Sequence, residues 1–269
     1  MDSEFRGDSA APPAYAPAMQ AVRIPAVAGS FYPADPTGLH ETVTRLLAAA
    51  PAGPVPKAVI VPHAGYIYSG PVAASVFRRI EGAPISRVVL LGPSHFTHLR
   101  GVALPGALAM RTPLGDIAVE EVDLPRNPRA HSLEHSLEVE LPFLQVALGR
   151  FTLVPLAVGD ATPEEVAAVI ERLWGGPETL IVISSDLSHH LPYADAQRTD
   201  SATAKEILAL GFLRPDEACG AAPVNGLLLE ARRRVLRAEL LDLRNSGDTA
   251  GEKRRVVGYG AFAFYERPP

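Results

Sequence analysis

The chain has 269 residues, 47% of them apolar, with 25 Lys and Arg against 30 Asp and Glu, a formal charge of −5 and one cysteine. A mildly acidic chain without a dense cationic tract gives no reason to expect nucleic acid as a partner, because phosphate contacts need clustered Lys and Arg; Arg232-Arg233-Arg234 reads as a solvated helix face. A single cysteine rules out an intrachain disulfide and suits a reducing, cytoplasmic compartment, and no apolar run approaches the ~20 residues a membrane helix needs, so no membrane partner is expected.

Residues 1–20 are rich in Ala and Pro and lack the apolar centre of a signal peptide. They are expected to be a disordered tail, or in part an expression scar, ahead of a single domain over 21–269. Asp35-Pro36-Thr37 opens a helix with Leu39, Val43, Leu46 and Leu47 at helical spacing, and the Pro/Gly-rich stretch 50–54 stops it. Five apolar runs then read as buried strands: 57–61, 87–91, 151–158, 179–183 and 255–264. Helical patterns fall at about 70–80, 134–148, 163–174, 196–210 and 224–237, and the stretch 99–130 has room for a hairpin. Continuous apolar strands separated by helices predict an α/β fold, a single domain whose central, mostly buried sheet is flanked by helices on both faces.

Three of these strands lead to histidines. The run 57–61 is followed by Pro62-His63, the run 87–91 by Gly92-Pro93-Ser94-His95, and the run 179–183 by Ser184 to Ser188 and then His189-His190. If the strands are parallel, these side chains share the carboxyl edge of the sheet, where open α/β folds bind ligands. Imidazoles converging on one pocket suggest a metal. Tyr66 and Tyr68 either wall that pocket or pack in the core.

A further cluster, Glu134-His135-Ser136-Leu137-Glu138-Val139-Glu140, opens the predicted helix 134–148. Should the helix extend far enough, His135 shares a face with Glu138 or with His131. Glu138 and Glu140 would also complement the dipole of the helix N-terminus; His135 there would serve as a neutral ligand or proton shuttle. Cys219-Gly220 stands just before a helix that Pro223 can begin, a position that lowers a thiol pKa, and Gly220 permits close approach. The other reading of Cys219 is a buried, inert thiol. A hydrolase built on Ser94 or Ser185 with a histidine and Asp186 is disfavoured, since the chain has no Gly-x-Ser-x-Gly elbow.

Seven stretches resemble, in order, the Memo family, known in prokaryotes as AmmeMemoRadiSam system protein B. They are Pro25–Pro33, Pro62–Gly70, Leu91–His95, Arg111–Gly115, Glu134–Glu138 with Leu141-Pro142, Ser184–His189, and Cys219-Gly220. The resemblance covers about 22–265 and implies a fold like that of class III extradiol dioxygenases. It implies metal ligands at His63, His95 and Cys219, with His135 and His189 lining the pocket as catalytic residues. The implied cofactor is iron(II) first and copper second. The implied activity is a metal-dependent oxidoreductase acting on a small molecule, or else a non-catalytic metal-binding protein partnered with radical-SAM and AMMECR-type proteins. Cys219 stands where the dioxygenases carry a carboxylate, and a thiolate is softer, favouring copper(I), zinc or a more covalent iron site.

Overall fold

The computed structural model describes residues 21–266; the tail expected over 1–20 lies outside the described residues. In chain order the elements are α1 (Pro36–Ala49), β1 (Ala58–Val61), α2 (Tyr66–Phe77), β2 (Arg87–Pro93), β3 (Val102–Ala103), β4 (Ala109–Thr112), β5 (Gly115–Ala118), α3 (Pro128–Ser132), α4 (Leu141–Leu148), β6 (Thr152–Val158), α5 (Pro163–Leu173), β7 (Thr179–Ser184), β8 (His189–Leu191), α6 (Tyr193–Leu208), α7 (Ala221–Arg233), β9 (Arg237–Asn245), α8 (Ser246–Thr249) and β10 (Val256–Tyr265).

The alternation of each apolar strand divides its side chains between two cores. Val59 and Val61 of β1, Val88 and Leu90 of β2, and Leu180 and Val182 of β7 pack with α1, α2 and α4 on one face of the sheet. Ala58 and Ile60, Val89 and Leu91, and Ile181 and Ile183 pack with α5, α6 and α7 on the other. Strands apolar at every position are therefore buried on both faces, as the parallel α/β reading requires. The sheet runs β3-β6-β2-β7-β1-β10-β8, with β9 also on β10. The four strands β6, β2, β7 and β1 are mutually parallel, whereas β10 is antiparallel to β1. The stretch 99–130 does hold a hairpin, β4 paired with β5. No helix among the described residues is long and apolar enough to cross a membrane.

Local sequence signals fix several helix starts. The Asp35 carboxylate accepts from Gly38 N at 2.7 Å with Pro36 in the first turn of α1, and Thr162 with Glu165 forms a capping box on α5. The helices expected at about 70–80 and 196–210 start and end a few residues earlier, as α2 and α6, and two further helices also differ from expectation. The helix expected over 134–148 exists only as α4, from Leu141, after a single 3-10 turn at Glu138–Glu140. Pro142 suits the first turn of a helix, where its missing N–H is no loss, and disfavours a continuous helix through that point. His131, His135 and Glu138 therefore share no helical face. The helix expected over 224–237 starts earlier and ends at Arg233. The chain turns at Val235, with φ 55°, into β9, which the sequence reading missed. Residues 237–245 carry three Leu and two Arg with Ala238 and Glu239, all good helix formers, and pairing with Gly258–Tyr265 of β10 overrides that preference.

The segment before α1 is tied down by one carboxylate. Glu138, fully buried, accepts from Ala26 N at 2.7 Å, Val27 N at 3.0 Å and the Tyr32 hydroxyl at 2.6 Å, and pairs with the buried Arg23 guanidinium. The burial of Tyr32 and its contact with Glu138 push its phenol pKa up. Arg23 also donates from Nε to His131 O at 3.1 Å and from Nη2 to Glu134 O at 2.6 Å. Glu138 is thus an anchor for the strap 23–32 rather than a dipole partner for a helix.

Candidate metal centre

The parallel register brings the predicted residues to one place. Val61 of β1 lies opposite Ser184 of β7, and Leu91 of β2 opposite Ile183, so the carboxyl ends of the three strands are level. His63 follows β1 by two residues, and His95 follows β2 by two. Cys219 arrives from across the sheet, just before α7. Its N–H donates to Asp186 O at 3.3 Å, and Asp186 N–H donates to its Sγ at 3.3 Å. Gly220 makes that approach feasible: a Cβ there would sit 2.7 Å from the Ser185 side chain. One nitrogen from each of His63 and His95 and the Cys219 sulfur all lie within 4.8 Å of one another.

Both rings are held in one orientation. His63 is buried; its N–H donates to Asp186 Oδ1 at 2.9 Å and its Nδ1 meets Ser184 Oγ at 2.7 Å, which leaves Nε2 facing Cys219 Sγ at 3.4 Å. His95 Nδ1 bonds Glu134 Oε1 at 2.9 Å and its N–H donates to Glu134 Oε2 at 2.6 Å, so Nε2 is again the nitrogen left for ligation. Engaging the second nitrogen of a ligand histidine with an oxygen partner fixes tautomer and ring direction, as in known metal sites. Burial, with His95 and His135 close by, holds the His63 pKa well below 6.5, so the ring is neutral and keeps a lone pair.

Glu134 itself forms a second group of possible donors with His95 and His135. Its oxygens are already committed to His95 N, His95 Nδ1 and Ser136 N. Those donors outweigh its burial and bring its pKa down to about 2. His135 stacks on His95 with centroids 4.8 Å apart and planes 16° apart, and meets His63 edge-on at 5.4 Å. Stacked rings send their lone pairs along nearly parallel lines, so one ion cannot take both without a ring turning. Glu134 is placed as an orienter and His135 as a neighbour of the triad. His131, once a candidate companion of His135, is a buried histidine whose Nε2 donates to Ala103 O at 2.8 Å.

A cleft of about 480 Å³ lies beside this group and reaches it through His135 and Asp186; His189, His190, Phe31 and Tyr68 also line it, with Tyr259 among the further walls, whereas Cys219 lines a separate, smaller cleft of about 220 Å³. Phe31 packs on His135 at 5.0 Å, so the strap anchored by Glu138 supplies one wall. Of the two tyrosines, Tyr68 faces this cleft, whereas Tyr66 is buried and donates to Val139 O at 2.7 Å. His189 is on β8, with Nδ1 bonded to Leu187 O at 2.9 Å and Nε2 left free. Burial holds the pKa of His135 below 6.5, and desolvation of the ring does the same for His189, although that residue is partly open to solvent. Burial pushes Asp186 up to about 7, and pushes the Cys219 thiol up to about 12 with Asp186 adding to the effect. The thiol pKa expected to fall at a helix N-terminus is thus raised in the metal-free protein, because desolvation and a neighbouring carboxylate outweigh the dipole.

The Memo-like protein family model matches residues 23–263. The chain belongs to the Memo-like family. A MEMO1 family protein of Sulfolobus acidocaldarius is 34% identical over 90% of this chain and 99% of its own length. One of Aquifex aeolicus is 37% identical over the same shares of each. Six of the seven Memo-like stretches meet at the His63, His95 and Cys219 cluster, its supports and the cleft beside it; Arg111–Gly115 instead forms the turn between β4 and β5. The supports Glu134 and Ser184 lay inside quoted stretches, but nothing in their spacing told which histidine each would hold.

Proposed function

We propose that this Memo-like protein is a mononuclear metal protein, with His63, His95 and Cys219 as ligands and iron(II), or copper, as the metal. We further propose a redox enzyme acting on a small molecule in the cleft, of extradiol-dioxygenase-like type. The observation that carries the reading is the triad itself: three donor atoms within 4.8 Å, with the far nitrogen of each imidazole fixed by Ser184 or Glu134. Two imidazoles and a sulfur suit a borderline or soft ion. When bound, iron would supply the redox couple and the Lewis acidity for oxygen chemistry on a catechol-type ring.

The protein's own residues have separable tasks in this reading. Ser184 and Glu134 aim the ligand rings. Phe31 and Tyr68 wall the cleft and limit water. His135 and His189, neutral near pH 7, would accept a proton from a substrate hydroxyl on Nε2 and return it later. The test is anaerobic loading with ferrous iron, metal analysis, and oxygen uptake with a panel of catechols. About one iron per chain and ring-opening turnover are expected, with tight binding lost in His63→Ala and His95→Ala. Wild-type stoichiometry in either variant would overturn the ligand assignment. Metal bound without turnover would leave a non-catalytic metal protein, the form suited to work beside a radical-SAM enzyme and an AMMECR-type protein.

A further inference from the structure

Ser184 Oγ, the atom that holds His63, has three partners and only one hydrogen. It lies 2.6 Å from Ser136 O, 2.7 Å from His63 Nδ1 and 2.9 Å from Glu140 Oε1. Ser136 O is a carbonyl and can only accept, so at the shortest of the three distances it takes the hydroxyl hydrogen. The two lone pairs of Ser184 Oγ are then left for two donors. His63 meets this by carrying its hydrogen on Nδ1. Glu140 can meet it only as a carboxylic acid.

We propose that Glu140 is a neutral, protonated acid whose O–H completes the hydrogen bonding of Ser184 and so positions His63 with its Nε2 lone pair turned toward Cys219. The second part rests on the metal-site reading above; the protonation state does not. The surroundings of Glu140 agree. Its side chain is fully buried, and Oε2 has no hydrogen-bond partner among the described residues, which is far less costly for a neutral acid's carbonyl oxygen than for a carboxylate. Desolvation raises its pKa well above the usual carboxylate range; the Ser184 contact opposes this, and the nearby Asp186 adds to it. The Tyr66 phenol, kept neutral by burial, is occupied with Val139 O and offers no compensating charge. The sequence reading placed Glu140 at a helix N-terminus, and it does stand directly before α4; its carboxyl caps no N–H there and meets Ser184 at the end of β7 instead.

Glu140 is a positioning residue, so its test needs readouts that loss of packing would not mimic. In the metal-free protein, carbon-13 NMR of labelled glutamate should show one carboxyl at its protonated position from pH 6 to pH 8. That signal should be absent in Glu140→Gln. Nitrogen-15 NMR of labelled histidine should show His63 with hydrogen on Nδ1 in the parent and in Glu140→Gln, because the amide N–H replaces the acid O–H. Zinc(II), a redox-silent probe, should bind Glu140→Gln within about 3-fold of the parent and Glu140→Met roughly 10-fold more weakly, the low end for outer-shell changes. A glutamate spectrum without a protonated carboxyl, or the same loss of zinc affinity in Glu140→Gln as in Glu140→Met, would overturn the proposal. If Glu140→Met does not fold, the parent and Glu140→Gln spectra still decide. If the parent binds no zinc, the metal reading falls while the two NMR measurements continue to test the acid and the tautomer.

Discussion

Replacing Glu138 by Gln keeps the side-chain volume and removes the charge on which the strap 23–32 is fastened. The carboxylate is fully buried and accepts from Arg23, Ala26 N, Val27 N and the Tyr32 hydroxyl. An amide offers one oxygen, and its NH2 group must then face donors, in the Oε2 position those of Arg23 and Ala26. Breaking a buried ion pair from one side costs about 3–5 kcal/mol, because the remaining charge stays buried without its partner. With a urea slope of about 3 kcal/mol per molar for a chain of this size, the unfolding midpoint should fall by roughly 1–1.7 M. Equilibrium urea unfolding followed by circular dichroism measures this. Hydrogen exchange at Ala26 and Val27 should rise in parallel, since their N–H groups lose their acceptor. The double variant Arg23→Met with Glu138→Gln should be more stable than the sum of the single effects predicts, by about 1–3 kcal/mol, because no unpaired charge remains. A midpoint shift below about 0.3 M for Glu138→Gln would refute the reasoning and make the strap's apolar packing its principal fastening.

Other consequences concern the proposed metal centre. Glu134→Gln should lower metal affinity about 10- to 100-fold by freeing the His95 ring, measured by competition with a chelator; parent-like affinity would dismiss Glu134 as the orienter. Cys219→Ser should weaken copper(I) binding far more than iron(II) binding, and Cys219 should alkylate more slowly in metal-loaded than in metal-free protein; equal rates would make it a packed thiol. Metal affinity should rise about tenfold per pH unit between pH 7.5 and 9, with one proton released per ion. The sign follows from the thiol pKa of about 12: throughout that window binding must displace the Cys219 proton, whereas His63 is already neutral. A flat profile in a competition titration would remove the sulfur from the ligand set. His189→Gln should leave metal content unchanged while lowering turnover or ligand binding; lost metal would promote His189 to a ligand.

The sequence alone determined the parts that depend on neighbours along the chain. Continuous apolar runs marked 57–61, 87–91, 151–158, 179–183 and 255–264 as strands, because a strand covered on both faces is apolar at nearly every position whether its neighbours run parallel or, as for 255–264, antiparallel. Spacing after three of those strands placed His63, His95 and His189 at one edge, since parallel strands end together. Tertiary structure decided what depends on partners far away. Residues 237–245 become a strand only because β10 presents an unpaired edge. Glu134, Glu138 and Glu140 look like one acidic helix start, yet they separate into an orienter for His95, an anchor for Arg23 and a buried acid beneath Ser184. Residues this close in sequence received unlike tasks because the chain around them turns rather than continuing as a helix. All three carboxyls are buried, and each meets different partners there. The Cys219 pKa turned on the same kind of fact: the helix N-terminus is local and legible, whereas burial beside Asp186 exists only after the chain has folded.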